Sequence, residues 1–580
     1  MRLLNVLRVD GLTGSEALFL VLVTILFAWI SISFWIALFG AWAWRGGPAY
    51  SMLAEPKDTD SRLRRSHART AILFPVRNEE LPRLFCGIKA VADCLCEHGV
   101  ADRFDIFILS DSAGDEMLAA EQAATVHLRR QTTVQIYYRN RTDNSGRKSG
   151  NIADFCRNWG AQYDYMVVQD ADSLMTAQTL VHLVRLMDAN PRAALVQTTP
   201  TLVGRDSVFA RILQFSSSVY GPLFSTGLAV LLGDGGNYWG HNAIIRIRPF
   251  LQCCGLPRLR GPAPFGGEIL SHDFVEAALL RRAGWGVHMV PRLGGSYEEP
   301  PTTLTDYLKR DRRWCQGNLQ HLPLVFAQRF RAESRWHLAT GVMSYASSPL
   351  WLVFLVISAA VMLQQHHLAP VEFFGPYPVL SWPISNTGAF ISLAVAMAFL
   401  LLAPKALALI LLICDTARRR AHGGALALTL SVVLETLFSL FFAPIAMLSH
   451  SHFVVRILMG QIGGWGSQQR SECRQSWTAL ISAFAPHTIL ALAAALLIYR
   501  YIPGSLWWFA PILIGPLLSV PLGAFGASVR AGRRMRRWLI FATPAELGME
   551  PMAQRVRQSV WNHEAGAAAT SQVTRPTAVL

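Results

Sequence analysis

The chain has 580 residues, a length that argues against a single compact domain. Hydrophobic residues make up 52% of it and charged residues only 16%, whereas soluble domains average about 25% charged residues. A large membrane part is therefore expected. The net charge of +15 comes without an aromatic and basic nucleic-acid module, so it favours loops beside anionic lipid over nucleic-acid binding. The nine cysteines are scattered, so neither a disulfide framework nor a zinc site is expected.

Residues 1–45 are predicted to be a short tail followed by one transmembrane helix. The stretch from Ser15 to Trp44 carries no charge after Glu16 and is long enough for one crossing of a bilayer. It lacks a signal-peptide cleavage pattern, so it is expected to remain as an anchor. The linker that follows, 46–69, is basic. The positive-inside rule therefore predicts a periplasmic N-terminus and a cytoplasmic domain after the helix.

Residues 70–335 are predicted to form that cytoplasmic domain, with an α/β fold. Its short apolar strands are predicted at 70–76, 104–109, 134–138 and 165–169. Helical stretches separate them, which indicates a doubly wound, mainly parallel sheet. Several of these strands end in polar or acidic residues, at the edge where such sheets bind ligands.

Residues 336–530 are predicted to form a C-terminal membrane domain, and residues 531–580 a basic and then disordered cytoplasmic tail. The apolar runs are 338–363, 386–414, 425–448, 479–499 and 503–528. Five crossings would leave the basic tail outside, so either one run does not cross or a sixth crossing is hidden elsewhere. The run that contains Glu435, 425–448, is predicted to be interfacial or re-entrant, and the loop 364–385 to lie outside.

Two carboxylates, Asp170 and Asp172, follow the fourth strand. Side chains alternate along a strand, so both are expected on the same side. Like charges at that spacing favour a divalent cation that also holds a diphosphate, because Mg²⁺ and Mn²⁺ prefer oxygen ligands. In isolation the same pattern is also typical of a solvated turn.

Other candidate residues are more ambiguous when each is taken alone. Asp111 ends the second strand, and Asp273 begins a helix that it could simply cap. The loop Gly146–Asn151 is basic, contains glycine and opens a helix, so it could approach a phosphate. The segment Lys309–Asn318 sets charged residues beside Trp314, as a binding site or as a solvated face.

The order of these motifs resembles the processive family-2 glycosyltransferases, which include the cellulose, chitin and hyaluronan synthases. The segments 310–321 and 442–448 look more specifically like the glucans biosynthesis glucosyltransferase H family, the makers of osmoregulated periplasmic glucans. This resemblance implies a GT-A-like catalytic domain inserted between membrane-spanning helices. It also implies an inverting transfer of glucose from UDP-glucose, with Mg²⁺ or Mn²⁺ as cofactor.

The resemblance also implies individual roles. The residues expected to bind the UDP-sugar are Pro75, Val76, Asn78, Glu79, Asp111, Lys148, Asn151 and Asp170. Asp172 is expected to ligate the metal with the support of Asp170, and Asp273 to be the general base on the acceptor. Arg313 is expected to meet the diphosphate and Trp314 to stack on the acceptor sugar. Arg310 and Gln316 are further expected acceptor contacts.

One departure concerns the linkage. Arg310 stands where cellulose synthases have Gln, which is compatible with another linkage, and the resemblance suggests a linear β-1,2-glucan. The expected partners are UDP-glucose, the growing glucan, the bilayer of a bacterial inner membrane and a periplasmic glucan-processing protein. The alternatives are a synthase of another β-linked polysaccharide and a lipid-carrier glycosyltransferase. A transporter with a non-catalytic nucleotide-binding domain is a third alternative.

Overall fold

The computed structural model describes residues 13–46, 53–55, 68–367, 371–374, 377–380, 387–461, 472, 475–548, 551–556 and 558. The strands are β1 Thr70–Val76, β2 Phe104–Ser110, β3 Gln135–Asn140, β4 Tyr165–Val168, β5 Leu174–Met175, β6 Ala193–Thr198, β7 Thr201–Leu202, β8 Ala243–Arg246, β9 Gly286–Val290, β10 Ser296–Glu298, β11 Val371–Phe374 and β12 Tyr377–Leu380.

The helices up to the Arg-Trp segment are α1 Gly14–Gly46, α2 Leu81–Glu97, α3 Asp115–Arg129, α4 Arg147–Asn158, α5 Ala177–Ala189, α6 Val208–Leu232, α7 Ile247–Cys253, α8 His272–Arg282 and α9 Leu304–Leu319. The later helices are α10 Ala332–His367, α11 Thr387–Cys414, α12 Thr416–Ala421, α13 Ala425–Leu458, α14 Trp477–Tyr501, α15 Leu506–Leu517, α16 Ser519–Gly526 and α17 Val529–Arg537.

A seven-stranded sheet in the order β3-β2-β1-β4-β8-β6-β9 forms the centre of the α/β domain. The first four strands of the chain pair in parallel, β9 is parallel to β6, and only β8 runs against its neighbours. The predicted mainly parallel sheet is therefore confirmed. Both of its faces are covered: Ile72 packs on one side with Leu84 and Leu183, and Leu73 on the other with Phe155. Burial on both faces explains why these strands are apolar throughout.

Helix α6 is a long apolar helix inside the segment that the sequence predicted to be soluble. It has 25 residues and is apolar enough to cross a membrane. However, β1 to β4 and β6 precede it, β8 and β9 follow it, and all of them belong to one sheet. Both of its ends must therefore return to the same side of any bilayer. Its backbone lies directly against α1, where Gly40 contacts the Leu223 carbonyl and Gly227 contacts that of Ile36.

Among the described residues, six helices are long and apolar enough to cross a membrane: α1, α6, α10, α11, α13 and α14. The run predicted at 503–528 is divided into α15 and α16, which bend by 52° at their junction. The predicted linker 46–69 and outside loop 364–385 lie largely outside the described residues. Within that loop, β11 and β12 form an antiparallel hairpin. The predicted disorder of the tail also falls outside them.

Helix α13 contains the run that is predicted not to cross, although it is long enough to do so. Just before it, His422 Nε2 lies 2.9 Å from Ser218 Oγ of α6. After it, Glu472 Oε1 accepts a hydrogen bond of 2.7 Å from the Asp206 backbone at the start of α6. The chain thus contacts the sheet-bearing domain on both sides of α13. These contacts support an interfacial placement, which stays a prediction.

Candidate active site

The two carboxylates after β4 lie on a turn and not on the strand itself. β4 ends at Val168, one residue earlier than predicted, and Ser173 N donates to Asp170 O at 2.9 Å. The alternation expected from a strand therefore does not apply to Asp170 and Asp172. Both side chains are partly buried, and both raise the pKa of the neighbouring Glu298 carboxyl. The turn thus brings the two carboxylates to one place by a different local geometry.

Gly240 joins three of the predicted residues. Lys148 Nζ donates to the Gly240 carbonyl at 2.8 Å and also pairs with the Asp170 carboxylate. The Asp273 carboxylate packs against the Gly240 Cα, where a Cβ would lie 3.4 Å from Asp273 Oδ2. Gly240 has a φ of +87°, a conformation that favours glycine. Tyr238, whose OH also donates to this carbonyl at 2.9 Å, completes the group.

Several carboxylates lie close to Tyr238 and His272 and shift the pKa of both groups. Burial raises the pKa of Tyr238 well above its ordinary value, and Glu276, Asp273 and Asp170 raise it further. Burial alone would lower the pKa of His272. The Glu276 carboxylate, 3.1 Å from His272 Nδ1, and Asp273 together offset this effect, so the net pKa is raised. The negative charge of these carboxylates therefore favours the binding of cations, including a metal ion that is bound together with a diphosphate.

Glu298 and His241 also lie beside the carboxylate turn, although no sequence motif predicted them. Burial raises the pKa of Glu298; His241 and Arg310 lower it, and Asp172 and Asp170 raise it. His241 lies between the two acidic elements, with Nε2 3.8 Å from Glu298 Oε2 and Nδ1 3.3 Å from Ser173 Oγ. These two contacts of His241 link the carboxylate turn to β10. The available signal was the acidic end of β10, a strand that pairs with β5 and β7 in a separate three-stranded sheet.

The predicted nucleotide side lies beyond the ends of β1 and β2. Asn78 has a φ of +51°; its backbone N–H donates to Ser112 Oγ at 2.7 Å, and its Oδ1 accepts from Ala113 N. Pro75 and Glu79 are partly buried beside it. Asp111 forms a two-point pair with Arg141, at 2.6 and 2.7 Å. Arg141 also donates to the Arg147 carbonyl, so Asp111 helps to position the helix that carries Lys148.

Helix α9 brings the Arg-Trp segment to the same region. The Arg310 guanidinium lies 4.3 Å from the centre of the Trp314 ring, which is 46% exposed. Arg310 also acts on Glu298, which places it near the carboxylates. Arg313 is partly buried on the same helix. Gly317 packs against Ser271, so α9 is held against the start of the helix that carries Asp273.

Three residues that were predicted to contact a ligand have buried side chains: Val76, Asn151 and Gln316. Val76 is 2% exposed and packs in the apolar core. Asn151 is only 1% exposed, and its Nδ2 donates to the Leu109 carbonyl at 2.9 Å. It therefore holds the end of β2 in place. Gln316 is 5% exposed, so its side chain is packed inside and not displayed beside Trp314. The position of a residue in a sequence motif does not indicate whether its side chain is buried in the fold.

A metal was predicted on Asp170 and Asp172. No group of three or more His, Cys, Asp or Glu side chains in the described part of the chain could hold a metal ion. Two carboxylates are nevertheless a suitable protein contribution, because Mg²⁺ commonly uses one or two carboxylates and takes its other oxygens from phosphates and water. The donor set therefore fits a divalent cation that arrives with a diphosphate.

The chain is similar to known glycosyltransferases. Residues 72–253 match the family described as glycosyl transferase family 2, and residues 165–412 match glycosyl transferase family group 2. The chain is 40% identical over 560 residues to glucans biosynthesis glucosyltransferase H of Shewanella sp. (strain ANA-3), covering 96% of this chain and 76% of that protein. The chain belongs to the glucans biosynthesis glucosyltransferase H family. The predicted resemblance and the α/β family-2 glycosyltransferase fold are thereby confirmed.

Other glucosyltransferase H proteins are longer than this chain. The one from Pseudomonas aeruginosa (strain LESB58) is 43% identical over 538 residues, which cover 91% of this chain and 61% of that protein. The one from Pseudomonas syringae pv. tomato is 41% identical over 550 residues, covering 94% and 63%. The chain thus spans about three-fifths of these relatives. Mannosyltransferase PcManGT from Pyrobaculum calidifontis, solved with GDP-Man and Mn²⁺, aligns with a TM-score of 0.45 at 15% identity, covering 77% of this chain and 100% of that one.

Proposed function

We propose that this protein is an inverting glucosyltransferase that builds a linear β-1,2-glucan from UDP-glucose. The observation that carries the proposal is the group around Gly240. There, Lys148 reaches both the Asp170 carboxylate and the Gly240 carbonyl, and the Asp273 carboxylate lies against the same glycine. A candidate base, a cation and a second carboxylate thus meet within one small region. That is the set of groups that sugar transfer from a nucleotide requires.

Each group has a distinct task in this proposal. Asp273 takes the proton from the attacking acceptor hydroxyl, because a sugar hydroxyl is a poor nucleophile at neutral pH. One base is enough for a single inverting displacement, with no covalent enzyme intermediate. Lys148 and Arg313 offset the negative charge that develops on the departing diphosphate. A divalent metal held by Asp172 and Asp170 supplies further positive charge against the diphosphate when bound.

The acceptor side rests on α9. The exposed Trp314 ring offers a flat apolar face to a pyranose, and Arg310 lies over that ring and near Glu298. A stacking platform holds a sugar without fixing each hydroxyl, so a chain can slide after each addition. The β-1,2 linkage is proposed from family membership and is compatible with Arg310 at the first position of the Arg-Trp motif.

We propose that the product crosses a bacterial inner membrane through the helices of the same chain. The domain and tail are cytoplasmic, the N-terminus is periplasmic, and α6 and α13 lie along the interface. The tail contact supports this arrangement: Arg533 Nε lies 3.1 Å from Asp206 Oδ2, so the chain after the last apolar helices returns to the domain. A periplasmic glucan-processing protein would receive the product.

The orientation can be tested with single cysteines in a chain whose native cysteines have been replaced. Thr416→Cys and Gln461→Cys are exposed positions on either side of α13. Both are expected to react with a membrane-impermeant thiol reagent only in inverted vesicles. If the two positions label from opposite sides, α13 crosses the membrane and its interfacial placement is wrong.

The activity is tested by giving the purified full chain in lipid nanodiscs a panel of labelled UDP-sugars with Mg²⁺. The expected result is a ladder of products from UDP-glucose alone, degraded by a β-1,2-specific glucanase. Degradation by a cellulase, a chitinase or a hyaluronidase would replace the proposal with another polymer synthase. A single addition to an extracted lipid would indicate a lipid-carrier enzyme. No incorporation from any donor would favour a transporter.

A further inference from the structure

Glu121 is a buried carboxylate that lies behind the predicted nucleotide side of the site. It belongs to α3, its side chain is fully buried, and it forms no ion pair with any described residue. A carboxylate in the interior costs free energy unless a cation or hydrogen bonds replace its water. Glu121 is in none of the motifs from which the site was predicted.

Three hydroxyl groups donate to Glu121. Ser110 Oγ and Tyr138 OH donate to its Oε2 at 2.7 and 2.9 Å, and Ser112 Oγ donates to its Oε1 at 2.6 Å. Burial raises the pKa of Tyr138 to about 12, with a contribution from Glu121, so the phenol keeps its proton and donates it. Hydroxyl donors from β2, β3 and the loop after β2 thus take the place of a cation.

The direction of these hydrogen bonds extends to the loop after β1. A serine hydroxyl has a single proton, and Ser112 gives its proton to Glu121. The Ser112 oxygen is therefore left to accept from the Asn78 backbone N–H, at 2.7 Å. Asn78 has a φ of +51°, in the left-handed region that a residue other than glycine adopts only when its contacts hold it there. Glu121 thus acts on Asn78 through Ser112.

Asp111 lies between the two serines that Glu121 binds. Ser112 N also donates to Ser110 Oγ at 3.2 Å, so the chain closes around Asp111. The Asp111 N–H donates to the Val76 carbonyl at 2.8 Å, which joins the end of β2 to that of β1. One buried carboxylate therefore fixes the two loops that carry Asp111 and Asn78.

We propose that Glu121 is a positioning residue for the nucleotide sugar, which holds Asn78 and Asp111 in the binding conformation before the donor arrives. A loop that is ordered in advance loses less conformational freedom on binding, so the affinity for the nucleotide is higher. An apolar side chain could fill the same space, but it could not orient the two serine hydroxyls. The inference rests on the proposed function, because it requires that UDP binds at this edge of the sheet.

Glu121→Gln is the most informative substitution, because it keeps the size of the side chain and changes only its hydrogen bonding. An amide has one acceptor oxygen and one donor nitrogen. In either orientation its NH₂ group faces a hydroxyl that donates in the wild type. Either Ser112, or Ser110 with Tyr138, then loses its acceptor.

The test uses the full chain in lipid nanodiscs, with calorimetry of UDP binding and steady-state transfer kinetics. Glu121→Gln is expected to raise the Kd for UDP and the KM for UDP-glucose about tenfold. The kcat should stay within about twofold of wild type, since the groups at the reacting sugar are unchanged. A merely structural role would lower the unfolding temperature and the active fraction, and leave KM unchanged. Glu116→Gln is the matched control: it removes the same charge from an exposed position on the same helix.

Ser112→Ala tests the same link without altering the buried carboxylate, and it decides the question alone if Glu121→Gln does not fold. It should also raise KM. The double variant should show less than the product of the two single effects, because both substitutions break one chain of hydrogen bonds. An unchanged KM in Ser112→Ala, or fully multiplicative effects, would overturn the role of Glu121.

The same measurements separate this inference from the proposed function. A wild type that binds UDP, with variants that bind it equally well, would reject only the role of Glu121. A wild type that binds no UDP would reject the proposed donor, and the positioning role with it.

Discussion

Charged side chains are partly exposed at the edge of the sheet, whereas in the layer of apolar helices a charged side chain is buried among its partners. At the sheet edge, Asp172 and Asp273 share a partly exposed site with Lys148, and charge is kept accessible. In the helix layer, Glu435 is 3% exposed and is surrounded by its partners: Lys405 Nζ at 2.8 Å, Tyr220 OH at 2.8 Å and Ser439 Oγ at 2.6 Å. The first arrangement is suited to chemistry, and the second joins α6, α11 and α13. Substitutions in the two regions should therefore have different readouts.

The largest expected effect is on stability, in the helix layer. Glu435→Ala leaves the partly buried Lys405 without its carboxylate, and the free energy of unfolding should fall by about 3 kcal/mol. The double variant Lys405→Met with Glu435→Leu removes both charges and should recover most of that loss. Thermal unfolding in detergent measures both variants. A double variant as unstable as the single one would show that the pair acts through packing and not through charge.

At the sheet edge the expected effect is on rate. Asp172→Asn should lower glucose transfer on the order of 10²–10³-fold, because metal stabilisation of a departing diphosphate contributes several kcal/mol. The unfolding temperature should not change. Chelation should abolish transfer in wild type, and added Mg²⁺ should restore it. Asp102→Asn, at an exposed position of the same domain, is the control. Full activity under strong chelation would exclude Asp172 as a metal ligand.

A buried histidine in the sheet makes the domain sensitive to acid. Burial lowers the pKa of His288 from 6.5 to about 4, although Asp234 raises it. Below pH 6.5 His288 binds a proton in the unfolded chain but stays neutral in the folded domain. The free energy of unfolding should therefore fall between pH 6.5 and pH 4, by about 3 kcal/mol in all. His288→Gln should flatten this part of the profile. His127→Gln, at an exposed position, should leave it unchanged, and an unaltered profile in both variants would contradict the assignment.

The smallest expected effect concerns Glu298. Glu298→Gln removes the negative charge near His241 and Arg310, and transfer should fall about tenfold, which corresponds to roughly 1.4 kcal/mol of transition-state stabilisation. Glu298→Asp keeps the charge and should recover part of the rate. Steady-state kinetics over a range of UDP-glucose concentrations measure both variants. Equal rates for wild type and Glu298→Gln would restrict Glu298 to a packing role.

Much of the domain could be predicted because its signals are local. β1 has the predicted bounds, and the other early strands differ by one or two residues at their ends. An apolar run that ends in a carboxylate predicts both a strand and the edge of the sheet at which that strand ends. The order of Lys148, the two aspartates and Asp273 predicted one site, and the structure brings Lys148, Asp170 and Asp273 together at Gly240.

The remainder depended on contacts between distant residues. Helix α6 has the composition of a membrane span, and only the pairing of strands on both sides of it shows that its ends return to one side. Asn151 and Gln316 occupy motif positions, but packing turns them inward. Glu298 and His241 belong to no predicted motif, and only the fold brings them to the carboxylate turn. Local sequence patterns do not indicate such contacts between residues that are distant in the chain.

The central claim is that Asp273 is the base of a sugar transfer at the edge of the sheet. The most direct measurement is the rate of glucose incorporation from UDP-glucose by Asp273→Asn, with UDP binding measured on the same sample. The predicted result is a rate lower by about 10²–10⁴-fold, with UDP binding and unfolding temperature retained. Incorporation at the wild-type rate by Asp273→Asn would contradict the account.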